Sequence, residues 1–334
     1  MKAQDIQAIQ LLLATPKKIA IIPHRNPDGD AMGSTLALYH FLIKNKHLPV
    51  VVSPNEFPDF LAWLPGSETV KIFEKDKANC TKILEEAELI FTLDFNALHR
   101  VGEMEHVLAQ LTSPFIMIDH HEKPDDYAAY TYSDIGFGST CEMVHNFISF
   151  LGKKFEIDKT IGTCIYTGIL TDSGSFRFPK TTGTTHRIIA DLIDLGVENT
   201  QIPTLLFDNS SYSSLQLLGR ALQNMKILEA QKTAYITLTQ AELDTFNFKK
   251  GDTEGIVNYG LSIKGIVFAA IFIENAAEKI IKISFRSQGN FDVNQFARDH
   301  FNGGGHRNAA GGKSEVSMKE TLIKFEELVL ELKI

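Results

Sequence analysis

Along the first third of the chain, short β-branched apolar runs alternate with longer stretches whose apolar residues recur at helical spacing. The runs are KIAIIPH (Lys18–His24), PVVVS (Pro49–Ser53), ELIFTLDF (Glu88–Phe95) and PFIMIDH (Pro114–His120). This alternation predicts an α/β domain: a mostly parallel sheet flanked by helices on both faces. Three of the four runs carry His or Asp at their last or next-to-last position. Open α/β sheets bind ligands outside the carboxyl ends of their strands, so acidic and imidazole groups gathered there mark a site rather than a packing need.

After Asp134 the pattern becomes helical, through STCEMVHNFISFLG, DKTIGTCIYTGILTDSG and TTHRIIADLIDLG, each with Ser, Asp or Thr placed to cap a helix. A polar stretch, NTQIPTLLFDNSSYSSLQLLGRALQ, then reads as a partly helical connection. From Met225 the grammar returns to strands (AYITLT, GIVFAAIFIE, KIIKISFRS) followed by helices (NQFARDHF, MKETLIKFEELVLELK), a smaller α+β unit. The expected organisation is a catalytic domain over 1–198, a linker over 199–224 and a substrate-binding domain over 225–334, with the site in the cleft between the domains. The 334-residue length agrees with two domains, since one usually spans roughly 100–200 residues.

Charge and cysteine content narrow the partners. A formal net charge of −8 argues against capture of long duplex nucleic acid, which needs a cationic surface, and leaves room for a small anion in a local pocket. The 3 cysteines, Cys80, Cys141 and Cys164, are widely spaced without a CxxC pair, so neither a disulfide framework nor a thiolate zinc site is indicated. The opening MKAQDIQAIQLLLATPKK reads as an amphipathic helix rather than a signal peptide, and Gly265–Ile273 falls far short of the ~20 apolar residues of a membrane span. A soluble, cytoplasmic protein with no membrane partner is expected.

Four places hold the candidate chemistry: HRNPDGD (His24, Asp28, Asp30), LDF (Asp94), DHH (Asp119, His120, His121) and GILTDSG (Asp172). Taken singly, each has an ordinary explanation: PDGD is a common turn, an Asp before Gly or Ser a common cap. Together they offer carboxylates and imidazoles without thiolates, a donor set suited to manganese or magnesium. Two cations with one bridging carboxylate use this many ligands better than one cation does.

In this order, HRNPDGDAMGS, the Asp closing FTLD, DHH and GILTDSGSFRF resemble the motifs of the DHH phosphoesterase superfamily. SFRSQGNFDVNQFARDHFNGGGHRNAAGG resembles its DHH-associated domain. The likeness covers nearly the whole chain, and its layout is most similar to compact bacterial nanoRNA-degrading enzymes that also act on 3′-phosphoadenosine 5′-phosphate. The resemblance implies two divalent cations, Mn2+ first, with Mg2+ or Co2+ as alternatives. His24, Asp28 and Asp94 would hold one; Asp30, Asp94, His120 and Asp172 the other, with a two-metal-activated hydroxide as nucleophile. Ser34, Ser139, Ser173 and Ser175 then read as cap or turn residues, and there is no GxSxG elbow. His121 would face the substrate phosphate, Asp119 would orient a ligand histidine, and Arg100 would brace the acidic site.

The glycine-rich loop suggests an anion-binding nest. With Arg286, Gly304, Gly305 and His306 it would form a phosphate clamp, and Arg307 is a weaker member. Phe176, Phe178 and Tyr259 are candidates for stacking a base, with core packing equally open for each. The expected substrates are short RNA or dinucleotides such as pApA, and adenosine bisphosphate. Competing functions are cyclic di-AMP hydrolysis, exopolyphosphatase or pyrophosphatase activity, and a degenerate nucleotide-binding protein. A homodimer is compatible with the sequence.

Overall fold

Alternation within single strands decides the architecture of the first unit. In β1 (Lys18–Pro23), Ile19 and Ile21 are buried in one apolar layer while Ala20 and Ile22 are buried in another. A strand apolar on both faces must lie inside a sheet covered on both sides, since each Ile or Phe left exposed would forfeit about 1.5–3 kcal/mol. The computed structural model describes residues 1–208, 210–249 and 251–332. The chain divides into two units, Met1–Asn209 and Ser210–Ile334.

In the first unit β2 (Leu48–Ser53), β3 (Lys71–Ile72), β4 (Leu89–Leu93), β5 (Phe115–Asp119) and β6 (Tyr130–Ser133) join β1 in a six-stranded sheet, order β3-β2-β1-β4-β5-β6. Every pairing is parallel. One face is covered by α1 (Ala3–Leu12) and α2 (Gly29–Lys44), and the other by α3 (Lys77–Glu86) and α4 (Glu105–Leu108). The α2 face also carries α5 (Thr140–Phe150), α6 (Lys159–Asp172), α7 (Gly183–Asp194) and α8 (Gln201–Phe207). The strand order reverses between β1 and β4. There the crossovers leave in opposite directions and open a crevice at the strands' carboxyl ends.

The second unit begins, among the described residues, with α9 (Tyr212–Gln223), so the segment 199–224 carries one helix of each unit. Its strands are β7 (Lys226–Leu228), β8 (Thr233–Leu238), β9 (Phe268–Asn275), β10 (Ile280–Ser287), β11 (Gly304–His306) and β12 (Ala309–Ser314), in the order β11-β12-β10-β9-β8-β7. β8 and β9 pair parallel and the rest antiparallel. α10 (Gln240–Thr245) and α11 (Asn258–Leu261) join α9 on one face; α12 (Val293–His300) and α13 (Met318–Leu330) cover the other. Phe268, Phe272, Phe285, Phe296, Phe301 and Phe325 form a continuous aromatic core beneath α12 and α13.

Among the described residues, no helix is long and apolar enough to cross a membrane. The three cysteines are buried and unpaired with one another.

Candidate metal centre

The crevice between β1 and β4 gathers eight of the candidate residues. His24 follows β1, Asp94 follows β4, and Asp119 ends β5 with His120 and His121 directly after it. Asp28 is the N-cap of α2, accepting from the backbone N–H groups of Asp30 and Ala31 at 3.0 and 3.1 Å. Asp30 lies in the first turn of α2, and Asp172 is the last residue of α6.

Asp94 stands between two groups of donors. Its Oδ2 is 3.5 Å from His24 Nε2, and its Oδ1 is 3.4 Å from His120 Nε2. Asp28 Oδ1 lies 3.9 Å from His24 Nε2, which completes one group. Asp172 Oδ2 and Asp30 Oδ2 lie 3.4 and 3.9 Å from His120 Nε2, which completes the other. Asp94 has φ +65°, a left-handed backbone that Asp tolerates better than most residues. Thr140 Oγ1 donates to its Oδ1 at 2.8 Å.

At 3.4 to 3.9 Å these separations lie at or beyond the long limit of a hydrogen bond and match two donors sharing an ion at about 2.1 Å from each. The histidine tautomers point the same way. His24 Nδ1 lies 2.9 Å from the carbonyl of Arg25, and His120 Nδ1 lies 3.3 Å from that of Phe137. A carbonyl only accepts, so each Nδ1 carries a proton and each Nε2 is left facing carboxylates. Acceptors facing acceptors in a buried site require a proton or a cation between them.

Electrostatics describe the same deficit of positive charge. Burial, reinforced by the charges of Asp94 and Asp172, pushes the Asp30 carboxyl well above the usual carboxylate range. Burial likewise pushes Asp172 up to about 7; His120 and Lys180 oppose this, while Asp28 and Asp94 add to it. Burial works against a charged His120, yet the hydrogen bond with Asp94 and the charges of Asp172, Asp94 and Asp30 raise it to about 10. Burial also resists ionisation of Asp94, but His120 and His24 hold its carboxyl well below the ordinary range. The residues present therefore fit a pair of divalent cations sharing Asp94.

The two adjacent histidines part company because β5 ends at Asp119. Both oxygens of Asp119 are spent on His121: Oδ1 lies 2.7 Å from His121 Nδ1, and Oδ2 accepts from the His121 backbone N–H at 3.0 Å. Of the two histidines, Asp119 therefore orients His121, while the candidate ligand His120 is oriented by the Phe137 carbonyl; Asp119 itself is fully buried. Arg100 stands near enough for its charge to act against protonation of His24, and its buried Nε has no hydrogen-bond partner.

Several supports carry no motif signal. Asp30 accepts from the Thr140 and Cys141 backbone N–H groups at 2.6 and 2.9 Å, at the positive end of α5. Asn55 faces Asn26 with both halves of its amide: Oδ1 accepts from Asn26 N, and Nδ2 donates to Asn26 Oδ1, each at 2.7 Å. Asn26 has φ +57°, so this pair, Asn55 buried and Asn26 exposed, fixes the left-handed bend between the candidate ligands His24 and Asp28. Only the structural nearness of β2 to β1 could reveal it. Asn55→Ala is expected to weaken divalent-cation binding about 10-fold, measured by calorimetric titration, since partners that orient candidate ligands typically contribute that much.

In the second unit, the glycine-rich loop is a β-hairpin rather than an open nest. Gly304, Gly305 and His306 pair with Gly311, Ala310 and Ala309, and the Gly305 N–H is already committed to Asn294 Oδ1 at 2.9 Å. Glycine is required at 305, where φ is +153° and a Cβ would lie 2.5 Å from the Ala309 carbonyl oxygen. Ala309 pairs on its other side with Arg286. Laterally aligned residues share a sheet face, so Arg286 and His306 flank Ala309 on the face opposite Phe285. The groups left on this face to meet a ligand are these two side chains more than backbone N–H groups.

The reversal point of a doubly wound parallel sheet, with carboxylates and imidazoles gathered at it, is the place where α/β enzymes bind charged ligands. Residues 18–169 match the DHH family, N-terminal domain, and residues 232–331 match the DHHA1 domain. A bifunctional oligoribonuclease and PAP phosphatase NrnA of Thermus thermophilus is 30% identical over 308 residues, 90% of this chain and 86% of that protein. The crystal structure of an exopolyphosphatase-related protein from Bacteroides fragilis superposes with TM-score 0.94 at 39% identity, covering 99% of this chain and 96% of that one. RecJ of Thermus thermophilus in complex with Mn2+ shares the fold, with TM-score 0.58 at 12% identity over 99% of this chain and 55% of that one. The chain belongs to the DHH family of phosphoesterases.

Proposed function

We propose that the chain hydrolyses short oligoribonucleotides, dinucleotides such as pApA included, to mononucleotides, and 3′-phosphoadenosine 5′-phosphate to AMP, with Mn2+ as the working cation. The observation that carries this reading is Asp94 standing between two donor groups, each with an imidazole Nε2 turned inward. The name of the Thermus thermophilus relative supplies the substrate class. Bound cations would supply an acidified water and neutralise charge on the phosphoryl oxygens.

The protein's own groups take distinct parts. His24, Asp28, Asp30, Asp94, His120 and Asp172 hold the cations. His121, with Nδ1 held by Asp119, acts through Nε2 on the phosphoryl group or the departing oxygen. Arg100 offers its unpartnered Nε–H to an anion, and Arg286 with His306 takes a substrate phosphate.

A turnover panel tests the proposal: pApA, 3′-phosphoadenosine 5′-phosphate, cyclic di-AMP and polyphosphate, each with Mn2+ and with chelator. Cleavage of the first two, lost on chelation, is expected; turnover of polyphosphate alone would sink the nucleotide reading. The two histidines separate within the same assay. His120→Ala is expected to weaken Mn2+ binding, whereas His121→Ala keeps the affinity and lowers kcat about 100-fold, the usual size of a proton-transfer contribution. The His121→Ala loss is smaller on a p-nitrophenyl ester, whose leaving oxygen needs no proton.

A further inference from the structure

The segment after Asp172 winds the wrong way. Gly174, Ser175 and Phe176 have φ values of +56°, +59° and +66°, three successive left-handed residues of which two carry a Cβ. L-residues enter this region singly and at a cost, and such runs persist only where neighbouring bonds enforce them. Here Ser175 N donates to the Leu170 carbonyl at 2.9 Å, and Phe176 N donates to Ser173 Oγ at 2.9 Å. The backbone N–H groups of Arg177 and Phe178 both reach the Ser173 carbonyl, at 2.9 and 3.0 Å.

The turn sorts its two aromatic residues. Phe176 is packed between Tyr166 and His186, with ring centroids 6.4 and 5.5 Å away. Phe178 lies over Gly174, where any Cβ would meet its ring carbons at 2.6–2.8 Å, and it remains 45% exposed. Arg177 Nε donates to the Gly174 carbonyl at 2.8 Å and braces the same turn. Core packing does not account for a strained turn whose product is an exposed ring. The segment stays near the candidate cation site: Lys180 acts electrostatically on Asp172, and its carbonyl lies 3.4 Å from a Cβ placed at Gly138, two residues before Thr140.

We propose that Phe178 is the shelf on which one nucleobase of the substrate stacks, held on Gly174 by the left-handed turn and flanked by the cationic Arg177 and Lys180. An aromatic face accepts any base, so it suits an enzyme for short oligonucleotides of mixed sequence. The assignment rests on the nucleotide reading of the preceding section. It concerns base recognition, and the cation site would work without it.

Steady-state kinetics on a dinucleotide and on its two abasic analogues, one lacking the 5′ base and one the 3′ base, test it. Phe178→Ala is expected to raise KM for the intact dinucleotide about 10-fold, the size of one lost aromatic stack, with kcat within a factor of two. Phe178→Trp restores KM, and the Phe178→Ala effect vanishes for one abasic analogue only. An unchanged KM, or an equal rise for both analogues, would overturn the shelf while leaving the phosphoesterase intact. Failure of the wild-type protein to cleave the dinucleotide would overturn the nucleotide reading and the shelf with it.

Discussion

Asp94→Asn is expected to lower turnover at least about 1,000-fold, equivalent to about 4 kcal/mol of transition-state stabilisation, while leaving the protein folded. Asn is the informative replacement. It shares the tolerance of Asp for a left-handed backbone, which Asp94 adopts at φ +65°, and its Oδ1 can still accept from Thr140 Oγ1. Ala would add backbone strain to the loss of charge and blur the two. The amide cannot serve as an anionic bridge between two cations, so Mn2+ titration should show fewer or weaker sites alongside an unchanged circular dichroism spectrum. Full activity of Asp94→Asn would show that the carboxylate does not bridge.

Gly168→Ala is expected to destabilise the protein, against the usual rule. Within a helix this exchange ordinarily stabilises by about 1 kcal/mol. Here a Cβ would lie 2.2 Å from Cys141 Sγ and 2.6 Å from Asp30 Oδ1. Gly33 on α2 makes the reciprocal approach, its Cβ position 2.6 Å from the Cys164 carbonyl of α6. The two helices therefore meet nearly backbone to backbone beside the cation site. Overpacking of this kind costs about 1–3 kcal/mol, a fall in Tm of several degrees by scanning calorimetry. Because Asp30 is one of the displaced groups, Mn2+ affinity falls too. Cys141→Ala in the same chain should recover part of the Tm, since it vacates the sulfur position, but little of the affinity.

Much of the first unit was legible because its physics is local. Four of its six strands are apolar runs, and the candidate ligands His24, Asp94 and His120 stand where three of those runs stop. β3 and β6 escaped because two residues, Lys71 and Ile72, carry no period, and YTYS is too polar to announce a strand. In the second unit the glycine run gave a loop by composition, whereas pairing of Gly304 with Gly311 makes it a hairpin. Which histidine Asp119 holds was not legible for a related reason. Adjacency in DHH makes His120 and His121 equal candidates, and only the end of β5 decides which ring turns back. Asn55 acts on Asn26, 29 residues away, and the N–H groups of Thr140 and Cys141 on the candidate ligand Asp30, 110 and 111 residues away, relations no local pattern encodes.

The positions that surround Asp94 also bear on how the chain comes to be active. Residues 24, 94, 120 and 172 become neighbours only after β1, β4 and β5 have paired in parallel and α6 has docked on α2. Contacts of such sequence separation form late, because their loops must close first. A nascent or partly unfolded chain thus has no place to capture a cation tightly, and no assembled site for phosphoester cleavage. Cation binding and completion of the native fold are thermodynamically linked, so a cation that binds the native crevice raises the midpoint of unfolding with its concentration.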